Sequence, residues 1–346
     1  MRTYTRARMR DVAELAGVGT MTVSRVLSGS VPVSDETRDR VIAAIEQLDY
    51  RPNEVARSLR EARTRSIGVI VPNFYDSFFA GCAHAANQVA QAHGYSVMVT
   101  TSGEDCKSEY REASLMMRRN VEGIIAIPAY VGDTQLTRPE FEAIPIVALD
   151  RPIRANTAGF PHLSSVLVEN RAGSRRGVEH LIEHGHKTIV FLGLSNELYT
   201  LKERHAGYTE AMKEAGLTPE AYFSCGTQEG TLDVLRSLRA GNRLPTAVFS
   251  SNNLATQHTL HALAALKISI PKRMAVVAFD DLEMFDIFVP PITVVRQPNL
   301  DLGRIAAELL FARLQAVQSD KSPKTEGRRL MLPVDLILRR SCGCEE

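Results

Sequence analysis

The spacing of apolar residues in the first fifty positions is that of short helices joined by tight turns. Segment 11–16 carries Val12 and Leu15 three positions apart, as on one face of a helix. Residues 17–19, Gly-Val-Gly, leave room only for a turn between two helices that meet at a steep angle. A second helix is predicted over 20–27. Its inward-facing residues are predicted to be Val23, Val26 and Leu27.

A third helix is predicted after Ser34, a favourable N-cap residue that is followed by two acidic residues in the first turn. Its apolar face is predicted to comprise Val41, Ile42, Ile45 and Leu48. This arrangement is typical of a helix-turn-helix domain, whose second helix places its N-terminal residues against base edges in the DNA major groove. A small helical cap without a ligand is the alternative, but it does not explain the polar outward face. The candidate DNA contacts of the second helix are Thr20, Met21, Thr22, Ser24 and Arg25.

After Arg65 the pattern changes from helical to alternating. Apolar runs such as SIGVIV, GIIAI, TIVFLG and MAVVAF are separated by segments of helical length. Continuous apolar strands with helices between them predict parallel sheets covered on both faces. About 280 residues exceed what one such sheet normally holds, so the sequence predicts two similar α/β subdomains.

The runs DVAELAGVGTMTVSRVL and VSDETRDRVIAAIEQLDYRPNEVARSLR, with later stretches such as VVAFDD and PPITVVRQP, resemble the LacI/GalR family of bacterial transcription regulators. The resemblance covers nearly the whole chain. It implies a two-lobed, periplasmic-binding-protein-like core around a sugar-sized cleft. The expected division is a helix-turn-helix domain over 1–52, a hinge and linker over 53–65, a core over 66–340 and a tail over 341–346. Lobe N is expected over about 66–161 and 292–323, and lobe C over about 162–291 and 324–340.

The segment between the helix-turn-helix domain and the two-lobed core is predicted to form a short hinge helix. Pro52 disfavours helix before it, and Asn53 can cap a helix over 54–60. Such a short helix needs a partner to form. The resemblance implies that two copies pair in the minor groove, where Leu59 would wedge into the central base step. From the residues alone, Leu59 is equally an ordinary packing residue. The candidate DNA contacts of this segment are Asn53, Ala56, Arg57 and Leu59.

Polar residues follow several of the predicted strands, where ligands bind to open parallel sheets. Asp150, Asn252 and Asp280 follow strands, and Arg204 is expected to begin a helix near the same place. Each has an alternative interpretation, such as a turn residue for Asp150 or a solvated partner of Glu203 for Arg204. Together they favour a site for a hydroxyl-rich ligand. The resemblance places these four at effector-contacting positions. Phe78 and Phe79 are either candidates for stacking on a sugar ring or simply core residues, and Tyr199 and Phe285 are weaker candidates of the same kind.

Departures from the family pattern bear on the ligand. Leu198 stands where purine-binding relatives carry a second arginine, which disfavours a purine corepressor. Arg204 and Lys202 lie close together and suggest an anionic sugar acid, unless acidic neighbours neutralise them. In the reading helix, Gly19 replaces the usual serine, and Met21 suggests apolar contact with a base.

Composition limits the other classes of function. The net charge is +1, but residues 1–66 hold 12 arginines, no lysine and nine acidic residues, a local charge of +3 that suits DNA. No apolar run is long enough for a membrane span, and the N-terminus lacks the apolar region of a secretory signal, so we expect no membrane partner and a cytoplasmic location. Cys342-Gly343-Cys344 has the wrong spacing for a redox motif, shows no nearby zinc ligands in sequence and is predicted to be a surface tail. His184 and His186 are interpreted as features of a helix C-terminus.

These patterns predict a dimeric, sequence-specific DNA-binding regulator. It is expected to repress a carbohydrate-utilisation operon and to leave a pseudo-palindromic operator when a sugar or sugar acid binds. The sequence shows no catalytic set and no metal-ligand spacing, and no nucleotide-binding motif follows a predicted strand. We therefore expect neither an enzyme nor a cofactor. The alternatives are a corepressor-dependent regulator that responds to a nucleobase or phosphorylated metabolite, a solute-binding protein, and an enzyme on the same scaffold.

Overall fold

The structure, a computed structural model, describes residues 7–28, 31–50, 63–129, 134–153, 163–318 and 327–344. The chain divides into two compact units, Met1–Thr64 and Arg65–Glu346.

The N-terminal unit contains three helices, α1 (Met9–Ala16), α2 (Thr20–Ser28) and α3 (Asp35–Gln47). Gly17 ends α1 in the left-handed conformation, with φ of 63°, which glycine adopts without the steric cost of a side chain. The amide of Val18 then donates to the carbonyl of Ala13, which closes the turn. The helices meet around a small core of buried side chains: Val12, Ala13, Ala16, Val23, Val41, Ala44 and Tyr50.

The predicted apolar faces are partly wrong in this unit. Leu15, Leu27 and Ile42 are 46%, 38% and 40% exposed. Short helices that approach closely leave room for alanines between them, so the small residues are buried and these larger side chains lie at the edge. Ser34 is the N-cap residue of α3, as predicted, but its hydroxyl donates to the hydroxyl of Thr37 rather than accepting from a backbone amide.

The first lobe of the larger unit is built on a six-stranded sheet in the order β11-β5-β4-β3-β1-β2. Its strands are parallel throughout. Apolar side chains on both faces are covered by helices, and two 3-10 turns at Gln135–Thr137 and Pro139–Phe141 close one end. The elements are β1 (Ser66–Val71), α4 (Ser77–Ala92), β2 (Ser96–Thr101), α5 (Cys106–Arg118), β3 (Gly123–Ala126), β4 (Ile146–Leu149), β5 (Ser164–Val168), α11 (Asn299–Gln318) and β11 (Arg329–Leu332).

The second lobe repeats the plan, with a sheet in the order β12-β10-β9-β8-β6-β7. Only β12 runs antiparallel to its neighbour. The elements are α6 (Asn170–Glu183), β6 (Ile189–Leu192), α7 (Tyr199–Glu214), β7 (Glu220–Tyr222), α8 (Gln228–Ala240), β8 (Ala247–Ser250), α9 (Asn253–Ala265), β9 (Ala275–Phe279), α10 (Met284–Ile287), β10 (Thr293–Arg296) and β12 (Asp335–Ile337). The two parallel α/β lobes confirm the predicted fold class.

The chain crosses between the lobes at points that differ from those predicted. β5 pairs with β4 and β11 in the first sheet, whereas lobe C was expected to begin at 162 and to include 324–340. β10 pairs with β9 and β12 in the second sheet, whereas 292–323 was assigned to lobe N. The crossings therefore lie at about 169, 297–298 and 333–334. Strand pairing fixes these boundaries. β5 and β11 pair residues that are 164 positions apart in the chain, such as Ser165 and Arg329, so no local sequence pattern indicates the pairing.

Close helix contacts hold each lobe together. A side-chain carbon on Gly303 of α11 would lie 2.1 Å from the carbonyl oxygen of Cys82 on α4, and one on Gly207 of α7 would lie 2.1 Å from that of Arg171 on α6. Only glycine permits these approaches.

Within the described residues, no helix is long and apolar enough to cross a membrane.

Candidate functional site

The outer face of α2 is the first candidate site. Thr20, Met21 and Arg25 are exposed, Met21 to 69%, and Thr22 and Ser24 are half-buried. Val23 on the opposite face is fully buried and anchors the helix in the core. The helix thus presents the predicted polar and methionine side chains to solvent at its N-terminal end. The predicted hinge contacts Asn53, Ala56, Arg57 and Leu59 lie outside the described residues.

The second candidate site is the cleft between the two lobes, at the carboxyl ends of their strands. It encloses a cavity of about 400 Å³, a size typical of small-molecule pockets, which hold roughly 300–1,000 Å³. All six predicted effector residues line it: Phe78, Phe79, Asp150, Arg204, Asn252 and Asp280.

Asp150 and Asp280 occupy equivalent positions in the two lobes. Each directly follows a central strand, β4 or β9, and each has a left-handed backbone, with φ of 64° and 74°. Both side chains are buried. The tight turn after each strand aims its carboxylate into the cleft, where the two lobes meet.

Arg204 lies in the second turn of α7, not at its start, and it is only 3% exposed. Its Nε donates to Oδ1 of Asn170 at 2.8 Å, and one terminal nitrogen donates to the carbonyl of Ser251 at 2.9 Å. The same nitrogen lies 3.5 Å from Oδ2 of Asp280, and the guanidinium stacks 3.7 Å from the ring centre of Phe279. The interpretation of Arg204 as a solvated partner of Glu203 is therefore wrong.

The asparagine pair at the start of α9 divides two roles. Asn252 is the N-cap residue, and its Oδ1 accepts from the amide of Ala255 at 3.0 Å. Asn253 is buried, and its Nδ2 donates to Oδ1 of Asp76 in the other lobe at 2.7 Å. Asp76 also caps α4 by accepting from the amide of Phe78. Asn253 follows a predicted strand beside Asn252, but the sequence indicated no separate role for it and did not indicate Asp76 at all, because their contact joins residues 177 positions apart.

Three further lining residues were not predicted, Arg151, Glu104 and Gln297. Arg151 is buried and forms a bidentate ion pair with Glu104 at 2.5 and 2.7 Å. Gln297 donates to Oδ1 of Asp280 at 2.5 Å. Gln297 lies in the family-like stretch PPITVVRQP, but the sequence indicates no role for its side chain or for that of Arg151.

Several buried polar atoms around the cleft have no hydrogen-bond partner among the described residues. They include Oδ1 of Asp150, Nε of Arg151 and Oε1 of Gln297. Buried polar groups without partners are costly, so their concentration at one place indicates a site built to receive polar groups.

Burial shifts the pKa values of three charged side chains in the cleft. It raises the pKa of Asp150 to about 6, against the opposing effect of Arg151 and Arg204. Burial and the nearby Asp280 raise the pKa of Asp76. Burial also lowers the pKa of Arg204, although Asp280 and Asp150 act in the opposite direction.

The aromatic candidates separate into two groups. Phe78 and Phe79 line the cleft and contact each other edge to face, with ring centres 5.4 Å apart. Phe285 and Tyr199, the weaker candidates, are buried residues outside the lining. Lys202 is exposed and also outside it, so it does not join Arg204 in a cationic subsite.

The interpretation of residues 341–346 as a surface tail is wrong for the part that the structure describes. Ser341 and Cys342 are fully buried. The Sγ atom of Cys344 lies 3.4 Å from Nε2 of His180 and 3.2 Å from Nε2 of His184, so possible metal ligands do surround the segment. His184 and Cys344 are 160 positions apart in the chain, so no local sequence pattern indicates this contact.

Comparison with known protein families matches both units. Residues 8–53 match the family of bacterial regulatory proteins, lacI family, and residues 178–342 match a periplasmic binding protein-like domain.

Full-length relatives give the same result. The HTH-type transcriptional repressor PurR of Haemophilus influenzae is 30% identical over 342 residues, which cover 97% of this chain and 98% of that protein. The ribose operon repressor of the same species is 31% identical, with the same coverage. Among solved structures, the complex of the transcriptional regulator CelR with cellobiose has a TM-score of 0.67 and 28% identity, and the match covers 97% of this chain and 100% of that one.

The two full-length relatives are repressors rather than enzymes or transport proteins, and the matches to them extend over both units of this chain. The chain belongs to the LacI family of DNA-binding transcription repressors.

Proposed function

We propose that this repressor responds to a neutral, hydroxyl-rich sugar that binds in the cleft between the lobes. The observation that carries the proposal is the set of side chains that converge there. Carboxylates follow a central strand of each lobe, and an arginine and amides lie beside them. Such groups can each accept or donate to neighbouring hydroxyls.

The charge of the lining favours a neutral sugar over an anion. The cleft is lined by four acidic residues, Asp76, Glu104, Asp150 and Asp280, against two arginines. Arg151 is paired with Glu104, and Arg204 faces Asp280. A sugar acid or phosphorylated metabolite would bring a further negative charge beside buried carboxylates, so the earlier suggestion of a sugar acid finds no support. The ribose repressor and the cellobiose complex among the relatives agree with a sugar.

On the DNA side, the exposed face of α2 would enter the major groove of an operator half-site. Thr20 and Met21 stand at its N-terminal end, where base edges are contacted, and Arg25 can reach a phosphate or a guanine. The function requires operator DNA, and we therefore place the protein in the cytoplasm. The hinge residues Asn53, Ala56, Arg57 and Leu59 complete the proposed DNA contacts.

A homodimer is part of the proposal, because a pseudo-palindromic operator needs two readers. The second lobe exposes apolar side chains that a partner copy could cover. Ile287 and Val289 are 82% and 87% exposed, and Met284 beside them is 47% exposed. Clustered exposed apolar residues are typical of protein interfaces.

The test is calorimetry of the purified repressor with a panel of neutral pentoses, hexoses and disaccharides, together with sugar acids, nucleobases and sugar phosphates. We expect heat of binding with a neutral sugar, and loss of that binding in Asp280→Asn. Cleft binding of a nucleobase or phosphorylated metabolite, with no response to any neutral sugar, would contradict the proposal and support a corepressor.

A further inference from the structure

A second cluster of chemically reactive side chains lies in the second lobe, away from the cleft. It consists of His180 and His184, at the C-terminal end of α6, with Cys342 and Cys344 near the end of the chain. Cys342 contacts Thr293, the first residue of β10. The cluster therefore lies at the amino edge of the sheet, whereas the cleft lies at the carboxyl edge.

The ligand atoms of this cluster converge. Those of His180, Cys342 and Cys344 all lie within 4.8 Å of one another. The two sulfur atoms are 3.2 Å apart, and Sγ of Cys344 lies 3.4 Å from Nε2 of His180 and 3.2 Å from Nε2 of His184. Zinc–sulfur bonds of about 2.3 Å and zinc–nitrogen bonds of about 2.0 Å in a tetrahedron place ligand atoms roughly 3.3–3.8 Å apart. The three separations from Sγ of Cys344 lie within a few tenths of an ångström of these values. His184 is not within 4.8 Å of all three other ligand atoms, so its side chain must move closer to complete the tetrahedron.

Hydrogen bonds of Ser341 hold the segment that carries the two cysteines against the sheet. The hydroxyl of the buried Ser341 donates to the carbonyl of Val276 at 2.6 Å and accepts from the amide of Thr293 at 2.7 Å, which fixes the chain at the sheet edge. Gly343, with φ of 95°, forms the bend between the two cysteines.

The imidazole of His184 is oriented as in metal sites. Nδ1 of His184 lies 2.9 Å from the carbonyl oxygen of His180. A proton on Nδ1 would be donated to that carbonyl and would leave the lone pair of Nε2 directed at the sulfur, as is usual for a metal-binding imidazole. His184 and Cys344 are not fully buried, so an ion can enter from solvent.

We propose that His180, His184, Cys342 and Cys344 form a zinc site that fastens the end of the chain to α6. Two thiolates and two imidazoles are the ligands of structural zinc sites, and they do not suit magnesium or calcium. On binding, the two thiols release their protons and the histidines coordinate as neutral rings.

The experiment uses the full-length repressor, stripped with a chelator under reducing conditions and titrated with Co²⁺ as a spectroscopic substitute for Zn²⁺. We expect one tightly bound ion per chain, with the intense visible bands of tetrahedral cobalt and a thiolate-to-cobalt charge-transfer band. Zn²⁺ should displace the cobalt and raise the melting temperature.

Four variants separate the site from adventitious binding. Cys344→Ser should lose the charge-transfer intensity and the zinc-induced thermal shift, and His184→Ala, which changes an exposed side chain, should weaken the tetrahedral bands. Cys106→Ser and His261→Ala are controls in the same chain, at half-buried and exposed positions away from the cluster, and they should behave as wild type. Octahedral spectra, or retention of the bands in Cys344→Ser, would each overturn the proposal.

Discussion

Replacement of Asp150 by asparagine should stabilise the protein while removing its response to effector. Burial gives this carboxyl group a pKa of about 6 against an ordinary value of 3.8. Each pKa unit corresponds to about 1.36 kcal/mol, so the charged form costs the folded state about 3 kcal/mol at pH 7.5. Asparagine preserves the shape, removes the charge and tolerates the left-handed backbone at this position.

The dependence on pH follows from the sign of the shift. Because the folded-state pKa is raised, the contribution of Asp150 is most favourable below pH 3.8 and is lost as the pH rises to about 6. The gain from Asp150→Asn should therefore fall from about 3 kcal/mol at pH 7.5 to about 1 kcal/mol at pH 4.5. Arg151 and Arg204 keep Glu104 and Asp280 as partners in the variant.

Urea denaturation at the two pH values measures this effect. The control is Asp105→Asn, which changes an exposed N-cap carboxylate of α5 and should leave stability close to wild type, since asparagine caps helices as well as aspartate. If Asp150→Asn is no more stable than wild type at pH 7.5, or gains equally at both pH values, the electrostatic reasoning is wrong.

Four further predictions concern the DNA-reading unit, the helix packing and the ligand. Val23→Ala should destabilise the N-terminal unit by about 2 kcal/mol, because it opens a cavity in a small core. Met21→Ala should leave thermal melting unchanged and weaken operator binding about tenfold in gel shifts, and the reverse pattern would contradict the assignment of the two faces of α2. Gly303→Ala should cost roughly 1–3 kcal/mol in urea denaturation, since its new methyl group meets the backbone of α4, and a neutral result would show that the helices can separate freely. Effector affinity measured by calorimetry should fall as the pH drops through about 6, because protonation of Asp150 removes a hydroxyl acceptor, whereas constant affinity between pH 7.5 and 5 would place the ligand elsewhere.

The fold class and the helix-turn-helix domain were predictable from local periodicity. Neighbouring residues determine the turn at Gly17, the start of α3 after Ser34 and the alternation of strands and helices, and the structure shows all three. Asp150 and Asp280 were found for the same reason, since each stands directly after an apolar strand.

The features that the sequence did not predict share a physical cause, which is contact between segments distant in the chain. The lobe boundaries depend on the parallel pairing of β5 with β11, and the hydrogen bond between Asp76 and Asn253 joins the two lobes. The cluster around Cys344 likewise depends on residues that only the fold brings together. Neither spacing nor composition records such contacts.

We propose that a neutral sugar in the cleft releases the repressor from its operator. This release can be measured as operator affinity by fluorescence anisotropy at fixed salt, with and without the sugar that binds in calorimetry, for wild type and Asp280→Asn. We expect the sugar to weaken operator binding at least tenfold in wild type and to have little effect in the variant, which still binds the operator. Unchanged affinity in wild type, or tighter binding in the presence of the ligand, would contradict it.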